Sequence, residues 1–553
     1  MDPIESAPDR ISTRMWATGR QLQSTAAVRL PMEKDRGRDS YGTGREPESA
    51  MSWDSGLPRR VIFKAAGSWA AASLAAGWWD PRAGGLFAGE SPPATAPGEP
   101  VLLAVSPDHR LFRVRLEMDV RGNVHVPENA LVSRKKRKQV PITSRAAFDY
   151  EERLRLPEGI DDVSVVTAAE RHYFQAESSS RLNRNESKLT LREGVRRVVV
   201  RRDMLPEAIY SPDDYFTHQE LQLLQIPTSS LAVDGLMPQT AIRTGEPFEV
   251  DREAMRMLLN LSVIDRHEVT GELVEADGNV AKIQLTGELA GWVDGVETEI
   301  RVVGKLTFDR RLGSTTWLAI AVHETREISR ALPGFDVTAT IKMLRKPADS
   351  PAGLPAEPPE IAISEPVPAD RTLVSLTSQE LGFSALMDRR WRMMRDAPGS
   401  AMMRMIEHDR SIAQCDIRPL AVLPEGRVWS LEGLQRDARR TIGNRLTEIV
   451  DADEGVTETG LRGLQVTAHG QVDGIPIRWV LIHLADGQGR RMLATFTIES
   501  DRLDDFAGSD VQFANSFAFA DTPPPQRPPA PPETAGADES QAKLDPADGG
   551  PRR

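Results

Sequence analysis

Between residues 112 and 120 apolar and charged side chains alternate: Phe112, Val114, Leu116, Met118 and Val120 stand between Arg113, Arg115, Glu117 and Asp119. A period of two puts the apolar set on one face of a half-buried strand. Arg121-Gly122-Asn123 then reads as a turn into Val124-His125-Val126. The same period recurs over 269–275, 280–292, 296–309, 315–326 and 337–344, with Asp277-Gly278-Asn279, Asp294-Gly295 and Leu312-Gly313-Ser314 between the first four runs. Long alternating runs joined by such turns predict an antiparallel meander. Helical spacing is sparse. Ser211-Pro212-Asp213-Asp214 offers a helix start, with Leu221, Leu223, Leu224 and Ile226 on its apolar side, and Asp251 is placed to cap a short helix to Leu261.

Two successive runs put Ala281, Ile283, Leu285, Gly287, Leu289 and Gly291, then Val296, Ile300, Val302, Gly304, Leu306 and Phe308, on one face. Glycines among large aliphatics permit strong bending or close approach by another element. Two readings stay open: the sheet curls around the helix at 251–261, or it forms a cradle for a lipid or acyl chain. The pattern is similar to that of the half-barrel envelope carriers that handle lipoproteins, without a shared motif. The candidate ligand face is Ile283, Leu285, Gly287, Leu289, Ile300, Val302, Gly304 and Leu306.

After residue 370 the pattern restarts with short strands at 373–376 and 381–384, a basic, Met-rich stretch at 387–405 and a strand over 412–423. Ser430 can cap a helix to Leu446 with Leu431, Leu434, Ala438 and Ile442 on one side. Strands follow at 464–472, 475–485 and 490–499, with Asp473-Gly474 and Asp486-Gly487 as hairpin turns. Ser500 can cap a short helix over 501–506, and Phe513-Ala514-Asn515-Ser516-Phe517-Ala518-Phe519 closes the region. This order of elements, with its terminal NSFAF, resembles the PsbP-like α/β/α sandwich over about residues 371–521. The resemblance implies a fold and no catalytic residues. The expected class is therefore α+β: a β-rich N-terminal region with a long antiparallel meander and a short helix, then an antiparallel sandwich.

Composition sets the limits. The chain has 553 residues and a thinly spread net charge of −12, which makes no case for a nucleic-acid partner. Ser133-Arg134-Lys135-Lys136-Arg137-Lys138 is a dense basic run without interleaved aromatics, so it reads as an exposed loop. A lone cysteine, Cys415, excludes a disulfide framework, and its strand pattern makes it a small buried hydrophobe. His323 with Glu324 and Glu327 lacks metal-ligand spacing, and Gly382-Phe383-Ser384-Ala385-Leu386 lacks the closing glycine of a nucleophile elbow. No cofactor, metal or catalytic residue is expected. Met387, Met393, Met394, Met402, Met403 and Met405 suit either a core element or an adaptable binding face.

Residues 346–370 carry seven prolines and read as a stiff linker, and 522–553 as a disordered Pro-rich tail. The domains expected are 97–345, β-rich, and 371–521. One N-terminal stretch has another character. From 65 to 79 fifteen uncharged residues follow Lys64, too few for a membrane anchor, which takes roughly 20, but apt for the core of an export signal. Pro58-Arg59-Arg60-Val61-Ile62-Phe63-Lys64 resembles the bacterial twin-arginine motif, carried by Arg59, Arg60, Ile62, Phe63 and Lys64. The resemblance implies a signal over 51–96 read from Met51, with 1–50 an extension or disordered, export machinery as partner, and a periplasmic or secreted location. The expected function is a non-enzymatic binding or scaffold component of the envelope, with a protein or lipid partner. The alternatives are a carrier of hydrophobic ligands and an enzyme without a recognisable motif.

Overall fold

The computed structural model describes residues 99–520 apart from 107–109, 128–136, 156–165, 167, 203–207, 294, 330–332, 358–366, 368 and 425–426. The stretch expected to be an export signal, the Pro-rich tail and most of the basic run lie outside the described residues. The chain is β-rich with antiparallel sheets. Strands β1 (Leu111–Pro127), β2 (Arg137–Arg155), β3 (Ala168–Leu182), β4 (Asn185–Thr190), β5 (Arg197–Arg201) and β6 (Ala208–Tyr210) precede helix α1 (His218–Leu224). Strand β7 (Pro247–Glu249) and helix α2 (Arg252–Leu259) lead into β8 (Val263–Ala276), β9 (Val280–Val293), β10 (Val296–Asp309), β11 (Ser314–Arg326) and β12 (Gly334–Pro347). These twelve strands form one sheet in the order β6-β5-β3-β2-β1-β12-β11-β10-β9-β8-β7, with β4 beside β3.

Laid flat, such a sheet would be roughly 50 Å wide, too broad for one short two-helix segment to cover. Yet apolar residues from β5 and β6 at one edge through β8 at the other share a single buried core with α1, α2 and the loop between them. The sheet therefore curls around residues 216–261, a longer segment than the helix at 251–261 that one of the two sequence readings placed there. Asp251 caps α2, its Oδ1 accepting from Ala254 N at 2.8 Å.

Two local expectations are corrected here. Arg121-Gly122-Asn123 is no turn: β1 runs through it, and Gly122 passes where an added Cβ would stand 2.1 Å from Asp336 O. The helix does not start at Ser211 either. Thr217 and Glu220 form a reciprocal capping box, Glu220 N donating to Thr217 Oγ1 at 3.2 Å and Thr217 N to Glu220 Oε2 at 2.8 Å. Asp213 and Asp214 instead pair with Arg197 and Arg192.

Beyond β12 come β13 (Leu373–Ser378), β14 (Phe383–Asp388), β15 (Trp391–Ala397), β16 (Ser400–Glu407), β17 (Arg410–Leu420), helix α3 (Leu431–Ile442), β18 (Leu446–Val456), β19 (Arg462–Val472), β20 (Ile475–Ala485), β21 (Arg491–Glu499), helices α4 (Leu503–Phe506) and α5 (Ser509–Ser516), and β22 (Ala518–Phe519). A seven-stranded sheet runs β15-β16-β17-β21-β20-β19-β18, and β13-β14-β22 form a small second sheet. One core lies between the large sheet and the layer of α4, α5 and β13–β14, and the other lies under α3. Ser430 caps α3, whose Gly433 N donates to Ser430 Oγ at 3.2 Å. The helix stops at Ile442 rather than Leu446, because Gly443 turns out at φ 63° and Leu446 opens β18. That edge strand carries Glu448, Asp451, Asp453 and Glu454 and two register shifts, both devices that discourage edge pairing. The Met-rich stretch runs from the end of β14 through the β15–β16 hairpin, with Met387 of β14 and Met403 and Met405 of β16 buried; Cys415 is buried too, and burial pushes its thiol pKa up.

Candidate functional site

The eight residues of the expected ligand face form four directly opposed cross-strand pairs: Leu289 with Ile300, Gly287 with Val302, Leu285 with Gly304, and Ile283 with Leu306. Their six aliphatic side chains are wholly buried, in one core with Met255 and Leu258 of α2. The face is thus covered by the chain itself.

What fixes that cover is polar. On β2, Phe148, Tyr150, Glu152 and Leu154 share the inner face, so one carboxylate stands in an apolar row. Register places Arg171 of β3 opposite Glu152, and Arg171 Nε donates to Glu152 Oε1 at 2.9 Å. Ser230, from the loop between the two helices, donates to the same oxygen at 2.6 Å, lies 2.9 Å from Tyr150 Oη and accepts from Arg171 Nη2 at 3.1 Å. Tyr173 stacks obliquely on Tyr150, ring centroids 4.9 Å apart. Burial raises the Tyr150 pKa. It would lower that of Arg171, but Tyr173, Tyr150 and Glu152 outweigh it and hold the guanidinium charged. Four residues on, Asp234 accepts from Thr315 N at 2.7 Å and from Arg345 of β12, which lies over the Phe112 ring. Near the far end of the same face, Glu324 binds Arg326 at 2.5 Å and Thr298 at 2.7 Å. Sequence reasoning missed these groups. Their signal was a charge at a core-facing position of an alternating strand.

The outer face at β2 is covered as well. Glu151 accepts from the backbone N–H groups of Ala352, Gly353 and Leu354 at 2.6, 2.7 and 3.0 Å. Arg153 Nη2 donates to Pro355 O at 2.6 Å. Burial would raise the Glu151 carboxyl, but those three donors and Arg113 hold it below its ordinary value. The first part of the proline-rich stretch is therefore packed on the sheet, while 358–366 lie outside the described residues.

The two regions also touch directly. Thr217 bridges Ser375 in parallel, and Ser375 N donates to Phe216 O at 2.8 Å. His218 Nε2 donates to Trp391 O at 2.5 Å, leaving Nδ1 to accept from Arg392 at 2.5 Å. Arg389 donates to Ile209 O, and burial pushes its pKa down to about 10.

In the C-terminal region α3 packs on β18 and β19, leaving a cleft of about 140 Å³ beside it over β20, β21 and β17. Trp479, Leu481 and Leu493 line it from the sheet and Trp429 from the loop before α3. Close by, His483 is wholly buried edge-on to Trp429, and neither ring nitrogen has a partner among the described residues. Burial, with Arg491 and Arg462 near, pushes its pKa down to about 4. Among the described residues no group of three His, Cys, Asp or Glu could hold a metal ion, and no helix is long and apolar enough to cross a membrane. His323 of β11 pairs with Asp336 at 2.9 Å.

No family model matches the chain, and no curated protein matches it. Among solved structures, a protein from Bacteroides thetaiotaomicron VPI-5482 is 12% identical over 25% of this chain, with a TM-score of 0.18. The match takes in 45% of that protein, less than half its length. PsbP (CyanoP) from Synechocystis sp. PCC 6803 is 15% identical over 27% of this chain and 92% of its own, with a TM-score of 0.21. A structure titled for lipid–protein interactions in lipovitellin is 10% identical over 45% of this chain and 27% of its own, with a TM-score of 0.24. At these scores the likenesses carry no argument.

Proposed function

We propose that the chain is a non-enzymatic binding or scaffold component of the bacterial envelope, exported by the twin-arginine route. The observation that carries the scaffold part is the covered inner face. Ion pairs enclosed in a core add little net stability but fix one arrangement of the elements they join. Here the Arg345–Asp234 pair and the hydrogen bond of Ser230 to the paired Glu152 hold the loop between the helices against the sheet, which favours a rigid wall over a chamber that opens. We take residues 97–345 and 371–521 as two domains, and the second as a PsbP-like α/β/α sandwich. Its support is a sheet with α3 on one side and α4 and α5 on the other.

Native mass spectrometry of protein purified from its own host tests the binding reading. A retained protein or small molecule supports it. A retained lipid, together with saturable fatty-acid displacement, would replace it with the carrier, and residues 216–261 would then have to leave the inner face.

Export has its own test, because a guanidinium presents a planar fork of donors that an ammonium cannot copy. Expressed from Met51, protein with Arg59→Lys and Arg60→Lys should stay in the cytoplasm while the parent is exported. Equal export of both would point to the general secretory route, and retention of both would remove the signal.

A further inference from the structure

The cleft beside α3 is bounded by three guanidinium groups, Arg418, Arg440 and Arg445, against one carboxylate, Asp437. That carboxylate is already engaged, accepting from Arg440 at 2.6 Å. Arg445 Nε donates to Ile442 O at 3.2 Å, at the end of α3. Arg418, exposed on β17, makes no side-chain hydrogen bond or ion pair among the described residues. Beneath these charges the floor is apolar, apart from Thr495 and Thr497.

Two further guanidinium groups and one carboxylate stand on the approach, Arg392 being already engaged with His218. On the part of the sheet that α3 leaves open, the cross-strand row Arg392, Arg404, Gln414, Thr497 leads towards the floor. Asp416, on the same face opposite Thr495, accepts from Gln414 Nε2 at 2.8 Å. Positive charge around an indole-lined apolar hollow selects a ligand with an apolar ring and a single anionic group. Space sets its size, since a cavity of roughly 150 Å³ holds one benzene ring.

We infer that this cleft binds a small aromatic monoanion, a carboxylate or sulfonate, with its ring on the Trp479 floor and its anion at Arg418 and Arg445. The inference deepens the reading of the chain as a binding protein and rests on it. A forked guanidinium can hold either anion through two parallel hydrogen bonds.

Isothermal titration calorimetry of the full chain with phenylacetate, benzenesulfonate and benzylamine tests it. Both anions should saturate at one site, and benzylamine should bind at least tenfold more weakly. Arg418→Glu should weaken both anions at least tenfold, whereas Arg395→Glu, on an exposed position of β15 outside the cleft, should leave them unchanged. No saturation by either anion, equal binding of the amine, or an unaffected Arg418→Glu variant would overturn the assignment. Recovery of the anion after binding separates this from the broader reading. Bound and chemically altered phenylacetate would leave the site standing and overturn the non-enzymatic role.

Discussion

Glu151 and Glu152 are neighbours on β2 and hold different segments on opposite faces of one sheet. Glu152 points inward, where it takes hydrogen bonds from Arg171 and Ser230 and so anchors the loop between the two helices. Glu151 points outward and takes three consecutive backbone N–H groups from residues 352–354. A strand alternates its side chains, so two adjacent carboxylates can grip two segments that are far apart in sequence.

Removing Glu152 leaves the Arg171 charge buried without its carboxylate. Glu152→Ala should lower unfolding free energy by about 3–5 kcal/mol, the usual cost of breaking a buried pair on one side. Glu152→Leu combined with Arg171→Met should recover most of that loss. Urea denaturation followed by tryptophan fluorescence reads both, and equal losses for the single and double variants would show that the charge pair is not the cause.

The Glu151 carboxyl titrates below its ordinary value. A depressed folded value means that its contribution is present above the unfolded value, about 4.3, and is lost as pH falls through the folded one. Amide exchange at 352–354, corrected for intrinsic rate, should therefore lose protection as the solution is acidified from the unfolded value through the lower folded one. In Glu151→Gln protection should be low at every pH. Protection in the parent no higher than in Glu151→Gln at neutral pH would remove the carboxylate as the clasp.

His483 is held neutral by burial, with its pKa moved from 6.5 to about 4. In that window the unfolded chain binds the extra proton, so stability falls as the solution is acidified. The total is on the order of 3 kcal/mol between neutral pH and pH 4. Parent and His483→Phe should diverge by that amount across the interval, since the phenyl ring keeps the edge-on packing on Trp429 and has nothing to titrate. Parallel stability–pH curves for the two proteins would refute the assignment.

Gly287 of β9 and Gly304 of β10 belong to adjacent cross-strand pairs on the expected ligand face but differ in tolerance. At Gly287, with φ 154°, a Cβ would meet Glu268 O at 2.1 Å, whereas at Gly304 the nearest atoms are 3.4 Å away. Gly287→Ala should cost more than the roughly 1 kcal/mol of an ordinary backbone substitution, and Gly304→Ala should stay within about 1 kcal/mol of the parent. Thermal and urea unfolding of the two variants makes the comparison.

By itself the sequence determined the local structure and its facing. A period of two located β9, β10 and β20 to within about a residue, and side-chain caps located the starts of α2 and α3 through Asp251 and Ser430. The inward set on β9 and β10 was legible for the same reason, because alternation is a property of neighbouring residues. Tertiary structure alone decided what those faces meet. The pairing of β1 with β12, the seating of 352–355 on β2 and the meeting of Ser230 with Glu152 join residues from about 80 to more than 200 positions apart, whose hydrogen bonds depend on which edges come together. The charged groups in the core were visible only as breaks in an apolar row: Glu152, Arg345 and Glu324 disobey the local pattern, and while Glu324 is met by Arg326 of its own strand, Glu152 and Arg345 are met by Ser230 and Asp234 of the enclosed loop, which only the curled sheet brings to them.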